Sequence, residues 1–512
     1  MKRALVSVSD KSGLIEFLRP LVLNGLQIVS TGGTLQFLKQ NEIAAVDISD
    51  VTGFPEVLDG RVKTLHPFVH MGLLADQYNP KHVEALKTHN VLAFDMVVGN
   101  LYPFEKVALN EESTFEHLIE NIDINGPSFL RSSAKNYRSV VVISDPADYK
   151  WVQEKIIANN ITDVDRKKLA LKVFSLTSYY DALISQKLAG DLADPQYLNL
   201  PLKKKFSLRY GENAHQNATW YENPLAAVSL SSAVIHQGKE LSYNNLLDLD
   251  AAAGLVMQFE KPACVAVKHN NPCGAAQAST LAEAITKTIQ SDPKSIFGGI
   301  IAFNKEVDLQ TCENLKSIFL ECLIAPSYST EALELLKTKK NLRVLSWPDL
   351  LKKNQQKPIS IKSLFGGVLV QDQDQFVEND WKHFEKAPTA IIKDDMKFGE
   401  KVCGFLKSNS IALVSNGQTL GLGMGQVNRV DAVEQALSRL NEFKKTTAVN
   451  MENVVLISDA FFPFADSIEK IAEAGIKWIL QPGGSTRDQE VIDSAKNNNI
   501  NMTFSHQRHF RH

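Results

Sequence analysis

The strongest chemical signal in the second half of the chain is Val265-Ala266-Val267-Lys268-His269-Asn270-Asn271-Pro272-Cys273-Gly274. A buried-strand pattern ends there in Lys-His and turn residues, the place where catalytic groups gather at a strand's carboxyl end. A histidine so placed can take up a proton while the adjacent lysine stabilises developing negative charge. A histidine that merely hydrogen-bonds fits the same spacing. In the first half, Asp59-Gly60-Arg61-Val62-Lys63-Thr64-Leu65-His66-Pro67 combines a carboxylate, two cations, a hydroxyl and an imidazole. Its Gly and Pro favour a site loop over a solvated one. Asp123 and Lys135 bracket Asn125-Gly126-Pro127 and Arg131, a spacing that suits one site mouth or a structural salt bridge equally.

Small-residue turns suggest where an anion would sit. Ser30-Thr31-Gly32-Gly33-Thr34 lies between a strand pattern and a helix pattern, and Ser9-Asp10-Lys11-Ser12-Gly13 repeats that setting with a cation. Two such turns at one sheet edge favour a phosphorylated ligand, where one alone is often a helix cap. Gln481-Pro482-Gly483-Gly484-Ser485-Thr486 repeats the theme, with a capping box from Ser485 to Asp488 as the structural alternative. Gly421-Leu422-Gly423-Met424-Gly425 lacks the context of a dinucleotide site, and no ATP-type Gly-Lys-Ser/Thr loop occurs. Pro272-Cys273 resembles half of a zinc-deaminase signature, but Ala276 stands where the second cysteine belongs and the His-x-Glu at His82-Val83-Glu84 is far upstream. The usual zinc set is therefore incomplete.

These groups must be positioned by more than one domain, because 512 residues exceed an ordinary single core. A net charge of −3, with 55 basic against 58 acidic residues, argues against a general nucleic-acid binder. No apolar run is long enough to span a membrane, so a cytoplasmic protein is expected. Cys264, Cys273, Cys312, Cys322 and Cys403 suit neither a disulfide framework nor a CxxC site. Strand patterns at residues 4–8, 27–30, 44–48, 96–99 and 140–143 alternate with helical ones, which predicts a parallel sheet closed by a helix over 165–188. A boundary is expected at Gly190 to Pro201, with Lys203-Lys204-Lys205 as solvated linker. A second polar stretch, residues 346–363, divides the remainder. Phe297-Gly298-Gly299-Ile300-Ile301-Ala302 and Phe365-Gly366-Gly367-Val368-Leu369-Val370 each read as two glycines feeding a buried strand, a weak sign of duplicated α/β subdomains.

Taken in order, the motifs resemble the bifunctional purine-biosynthesis family that joins 5-aminoimidazole-4-carboxamide ribonucleotide (AICAR) formyltransferase to inosinate (IMP) cyclohydrolase. The resemblance covers essentially the whole chain. Besides the segments above, it rests on Leu208 to Asn213, Gly238 to Asn245, Ile324-Ala325-Pro326, Gly417-Gln418-Thr419, Ser458 to Phe464 and Arg508 to His512. It implies an α/β chain. Residues 1–195 would be a methylglyoxal-synthase-like cyclohydrolase domain, and 196–512 a formyltransferase of two cytidine-deaminase-like subdomains. It also implies a homodimer with shared transferase sites, 10-formyltetrahydrofolate as co-substrate and no catalytic metal.

By the same resemblance, His269 is the transferase base and Lys268 its electrostatic partner. Arg209, Tyr210, Asn244 and Arg508 hold the nucleotide. Asn409, Arg429, Phe461 and Asp466 build the folate and reaction site, and Gly298 and His512 join the substrate side. In the cyclohydrolase, Lys63, Thr64, Tyr102, Asp123 and Lys135 handle protons and the oxyanion, while Ser9, Lys11, Ser30, Thr31, Gly32, Gly33 and Thr34 hold phosphate. Three positions depart from the family pattern. Asn125 replaces a glycine, with a left-handed backbone in view; Ala214 replaces a proline and loosens its turn; Met71 replaces a small residue. The competing readings are a zinc nucleobase deaminase and a nucleotide sensor without catalysis.

Overall fold

The computed structural model describes residues 1–58, 60–190, 196–352, 359–377 and 381–512. Asp59, residues 191–195 of the expected boundary and residues 353–358 of the second polar stretch lie outside the described residues. The chain forms two compact units. One comprises Met1–Lys203 with Tyr221–Leu225, the other Lys204–Trp220 with Ala226–His512.

In the first unit, β1 (Arg3–Ser7), β2 (Gln27–Ser30), β3 (Val46–Asp47), β4 (Met96–Gly99) and β5 (Val141–Ile143) form a parallel sheet in the order β3-β2-β1-β4-β5. Leu5, Val29, Val97 and Val142 are almost wholly buried, as expected for parallel strands covered on both faces. The cover includes Leu14 and Leu18 of helix Leu14–Leu23, Leu130 of helix Asn125–Lys135, and Leu169 and Val173 of helix Asp163–Ala189. The last helix begins with a reciprocal cap, in which Thr162 accepts from the Asp165 amide and Asp165 accepts from the Thr162 amide.

Lys203-Lys204-Lys205 is exposed and spans the change of unit, as expected of a solvated linker, but it is ordered as strand. It opens β6 (Lys203–Leu208), which pairs with β7 (Ala218–Glu222) as the chain leaves the first unit. The second unit is built on β8 (Val234–Gln237), β9 (Ala263–Lys268), β10 (Asn271–Gln277), β11 (Ile300–Phe303), β12 (Cys322–Ala325) and β13 (Arg343–Ser346). Beyond the exposed hairpin β14 (Ile359–Leu364) and β15 (Gly367–Asp372) come β16 (Lys382–Phe384), β17 (Ile411–Ser415), β18 (Gln418–Gly423), β19 (Val455–Ser458), β20 (Trp478–Gln481) and β21 (Asn501–Phe504). Among the described residues, twelve of these strands make one mixed sheet, β16-β21-β20-β19-β17-β18-β10-β9-β11-β12-β13-β8.

That order describes two like halves meeting at β10 and β18. Each half starts with a helix, Tyr243–Val256 or Ala390–Gly404, then an antiparallel hairpin, β9-β10 or β17-β18, then three parallel strands. Strand β9 is buried on both faces. Val265 and Val267 enter one apolar cluster while Cys264 and Ala266 enter another, as the period of two requires. The Phe-Gly-Gly repeat does not mark this duplication. Its first copy leads into buried β11, but its second forms the tip of the β14-β15 hairpin, where Phe365 is fully exposed and β15 has no buried residue. Two glycines before apolar residues fit a hairpin tip as well as a core strand.

The glycines of Gly421-Leu422-Gly423 also have a packing cause. A Cβ at Gly421 would stand 2.3 Å from the Ala436 carbonyl oxygen, and one at Gly423 2.0 Å from that of Ala432. Helix Arg429–Lys444 therefore lies directly on β18.

Candidate functional sites

In the first unit, the carboxyl ends of the parallel strands gather the expected groups. Gly32 and Gly33 open helix Gly32–Gln40, so their amides face the site as unsatisfied helix-start donors. The Ser30 and Thr34 hydroxyls donate to the chain's own backbone, at 2.7 Å to the Val6 carbonyl and 2.9 Å to Val8 O, and Thr31 pairs with the Ser7 hydroxyl at 3.1 Å. They fix the turn. In the other turn, the Ser9 and Asp10 amides donate to Asn100, at 2.6 and 2.9 Å, and Lys11 reaches back to Ser9 O at 3.5 Å.

Lys63 joins this turn to the acid. Its ammonium is 4.0 Å from where a Cβ on Gly32 would be, and it also acts electrostatically on Asp123. Burial pushes the Asp123 carboxyl above the ordinary range, against the opposing pull of the Gly126 and Tyr102 amides and of Lys63. Asp123 accepts from Gly126 at 2.7 Å and from Tyr102 at 3.4 Å, and its own amide donates to the Tyr180 hydroxyl at 2.9 Å. A side chain at Gly126 would meet Asp123 Oδ2 at 2.3 Å, which explains glycine there.

Asn125 is not left-handed. It begins helix Asn125–Lys135, and its buried side chain splints the site loop. Oδ1 accepts from the Thr64 amide at 3.3 Å and hydroxyl at 3.1 Å, while Nδ2 donates to Arg61 O at 2.9 Å. The substitution thus exchanges backbone freedom for three tethers. Lys135 stands at the far end of the helix, its Cα about 15 Å along the axis from that of Asn125, exposed and without a salt bridge to Asp123. Met71 is half-buried on helix Pro67–Leu74.

In the second unit, Lys268 ends β9 and His269-Asn270 is the two-residue turn to β10, with Lys268 paired to Asn271. Both turn residues have positive φ, 54° and 61°. His269 is exposed, and its imidazole has no hydrogen-bond partner among the described residues. Lys268 Nζ donates to Phe297 O at 2.7 Å, beside Gly298. Asp248, on helix Tyr243–Val256, accepts from the His269 amide at 3.2 Å and the Asn270 amide at 2.5 Å. Burial pushes its carboxyl upward, and these two amides and His269 oppose that shift. Lys268, His269 and Cys273 line a depression of about 190 Å³ with Asp292, Thr419 and Arg439.

Asn271 ties this turn to the companion half. Its Nδ2 donates to His269 O at 3.1 Å, and its Oδ1 accepts from the Lys407 amide at 3.1 Å. Asn409 follows, after a cis peptide, and is oriented by Arg429 Nη2 on its Oδ1 at 2.9 Å. Arg429 is only 6% exposed, and its other contacts are Ser410 O at 2.9 Å and Asp459 Oδ1 at 2.5 Å. It is therefore placed to support Asn409 rather than to reach outward. Asp459 also accepts from the Ser408 hydroxyl at 2.6 Å, and its carbonyl takes the His509 amide at 2.9 Å, so the C-terminal segment is tied to the same centre.

The carboxyl ends of parallel β19, β20 and β21 bring Phe461, Gly483, Gly484 and Arg508 around one depression. Ser485 Oγ accepts from the Arg487 amide at 3.1 Å and Asp488 accepts back from the Ser485 amide, so much of the expected capping box is present just ahead of the helix. Helix Asp488–Asn497 starts after Arg487, and the Asp488 carboxylate accepts from the Gly484 amide at 2.7 Å and the Ser485 amide at 3.1 Å. That would-be anion cradle already holds the chain's own carboxylate. Asp466 is exposed at a helix start, and His512 packs against Phe510 at 5.4 Å. Arg209 lies over Tyr210 at 5.4 Å, while Asn244 donates to Glu212 O at 3.3 Å. The turn after Glu212 remains closed despite Ala214, because Gln216 Oε1 accepts from the Asn213 amide at 2.8 Å. Among the described residues, no three His, Cys, Asp or Glu side chains converge to hold a metal ion, and no helix is long and apolar enough to cross a membrane.

The fold defines an α/β chain of two compact units, each with its own candidate site, the first on a parallel sheet. Residues 13–128 match the MGS-like domain, and residues 133–439 match the AICARFT/IMPCHase bienzyme. The chain is 48% identical over 520 residues to the bifunctional purine biosynthesis protein PurH of Caldicellulosiruptor saccharolyticus and 49% identical over 521 residues to that of Lactobacillus delbrueckii subsp. bulgaricus. Both alignments cover 100% of each chain. The protein of Halalkalibacterium halodurans is 47% identical over 518 residues, with the same full coverage. The chain belongs to the AICARFT/IMPCHase bienzyme family.

Proposed function

We propose that the two activities of this bifunctional purine-biosynthesis enzyme are divided between its units, with formyl transfer in the second and cyclisation in the first. The chain uses AICAR and 10-formyltetrahydrofolate, and its products are tetrahydrofolate and, through formyl-AICAR, IMP. The observation that carries the division is the presence of a polar centre internal to each unit: Lys63, Thr64 and Asp123 in one, Lys268, His269 and Asn409 in the other.

In formyl transfer the AICAR amine attacks the formyl carbon, and His269 accepts the amine proton as the carbon–nitrogen bond forms. Lys268 and Asn409 face the oxyanion, and the tetrahydrofolate nitrogen leaves. Arg209, Tyr210, Asn244 and Arg508 hold the nucleotide, and Phe461 and Asp466 the folate; Gly298 and His512 complete the substrate side. In cyclisation the carboxamide nitrogen of formyl-AICAR closes on the same carbon and water departs. Proximity is supplied within one molecule, so the protein's task is proton transfer and charge stabilisation by Lys63, Thr64, Tyr102, Asp123 and Lys135. The Gly32-Gly33 amides receive the phosphate. The second unit's halves would be cytidine-deaminase-like, and the working form a cytoplasmic homodimer.

The test supplies AICAR with 10-formyltetrahydrofolate and follows both products. His269→Ala should abolish transfer and retain cyclisation of supplied formyl-AICAR; Lys135→Ala should do the reverse. Equal loss of both activities in either folded variant overturns the division. Sedimentation of the purified chain tests the dimer.

A further inference from the structure

The two halves of the second unit contain the same device at corresponding places. In each, an aspartate on the leading helix accepts from two consecutive backbone amides at a hairpin turn. Asp248 takes His269 N on Oδ2 and Asn270 N on Oδ1. Asp395 takes Asn416 N on Oδ2 at 2.8 Å and Gly417 N on Oδ1 at 2.7 Å. The spacing from aspartate to the first turn residue is 21 residues in both. Both turns hold two left-handed residues, at 54° and 61° in one and 51° and 65° in the other.

Such a turn favours Asn-Gly, which is what the second half has. The first half has His269-Asn270 instead, so a non-glycine residue stands at the second position and a histidine at the first. His and Asn enter the left-handed region more readily than most side chains but at a cost that glycine does not meet, so a partner for the turn amides matters more here than in the Asn-Gly turn. The Asp248 carboxylate holds both turn amides, while Asn271 holds only the His269 carbonyl and the imidazole is tied to nothing among the described residues.

We infer that Asp248 is a positioning residue for formyl transfer: it clamps the strained turn that presents His269, in a repeat whose other copy has the clamp and no chemistry. This rests on the assignment of His269 as the transferase base. Removing the carboxylate lets the turn relax toward negative φ and swings the imidazole away from the amine, without removing any group that touches substrate.

The experiment compares Asp248→Ala, Asp248→Asn and Asp395→Ala in the full chain, with both activities and thermal stability measured. Wild-type transfer is measured first, because its absence would sink the functional assignment and not the clamp. Asp248→Ala should lower transferase kcat at least tenfold, change the KM for AICAR less than threefold and leave cyclisation intact. Asp248→Asn should fall between, since it keeps one acceptor oxygen and loses the other. Asp395→Ala should lower the melting temperature similarly and leave transferase kcat within threefold of wild type.

The decisive arm is rescue. Asn270→Gly in the Asp248→Ala chain lets the second turn residue be left-handed without help, and should restore kcat at least threefold. Asp248→Ala with kcat within twofold of wild type, equal kcat losses in Asp248→Ala and Asp395→Ala, or no rescue by Asn270→Gly would each overturn the inference. Amide hydrogen exchange gives a readout independent of catalysis. The His269 and Asn270 amides should be protected in wild type and lose that protection in Asp248→Ala; unchanged protection would refute the clamp even if no transfer were seen.

Discussion

Raising the pH from about 6.5 to about 9.5 should weaken the second unit through a single histidine. His509 is 3% exposed, with Nδ1 2.7 Å from Asp374 Oδ2 and Nε2 3.7 Å from Glu400 Oε1. The longer separation is beyond hydrogen-bonding range, so Glu400 acts there by charge alone, and Phe376 stacks on the ring at 4.6 Å. Burial disfavours the imidazolium, but Asp374 and then Glu400 outweigh it and raise the pKa from 6.5 to about 9. At 1.36 kcal/mol per pH unit, protonation contributes about 3 kcal/mol to stability. Because the folded value lies above the unfolded one, that contribution is complete below about pH 6.5 and disappears as pH rises through about 9. Denaturant unfolding of wild type and His509→Gln at both pH values isolates it. The wild-type advantage should shrink by about 3 kcal/mol, and imidazole NMR should place the titration near 9 in wild type and lower in Asp374→Asn. Parallel stability profiles, or a His509 titration near 6.5 in the folded chain, would refute the charge assignment. The neighbouring Arg508 lines the depression with Phe461, so the KM for AICAR should rise over the same pH interval.

Asn125→Ala removes three hydrogen bonds from a buried position, so stability should fall by about 2 to 3 kcal/mol and cyclisation of supplied formyl-AICAR should slow while formyl transfer is kept. Asp459→Ala leaves the Arg429 guanidinium buried without its carboxylate, which should cost about 3 to 5 kcal/mol; it also frees Asn409, so transferase kcat should fall while cyclisation persists. Gly423→Ala would drive a methyl group into the Ala432 carbonyl and should destabilise by about 3 kcal/mol or prevent soluble expression, read by melting temperature and yield.

The first unit's sheet was legible because its strands are short apolar runs separated by helical periods, and each run predicted from Ala4 to Ile143 overlaps a strand of the parallel sheet. The Lys268-His269 turn was legible for a related reason, since a continuously buried strand has to end where charge begins. Positions that act through their partners were not. Asp248 is an unremarkable acid in a helix until the fold brings the amides of residues 269 and 270 onto it. Asn125 reads from sequence as a question of backbone freedom, and only the three-dimensional neighbourhood shows that its amide is spent on Thr64 and Arg61. The serine and threonine hydroxyls near Gly32 looked like ligand donors because hydroxyls are common in phosphate turns. Their proximity to the Val6 and Val8 carbonyls gives them structural work first.

The duplication shows why literal repetition is a poor guide to architecture. Phe297-Gly298-Gly299 and Phe365-Gly366-Gly367 share letters, yet one enters the central sheet and the other is the tip of an exposed hairpin. The corresponding turns, His269-Asn270 and Asn416-Gly417, share no residue in register, yet the same aspartate geometry at the same spacing holds them. What persists between the halves is the solution to a packing and hydrogen-bonding problem, the closure of a tight left-handed turn over a leading helix. The residues free to diverge are those at the turn itself, once a carboxylate supplies the amide partners. Divergence there is also what chemistry requires, because a turn held from beneath can exchange the residue that suits the backbone for one that suits a substrate.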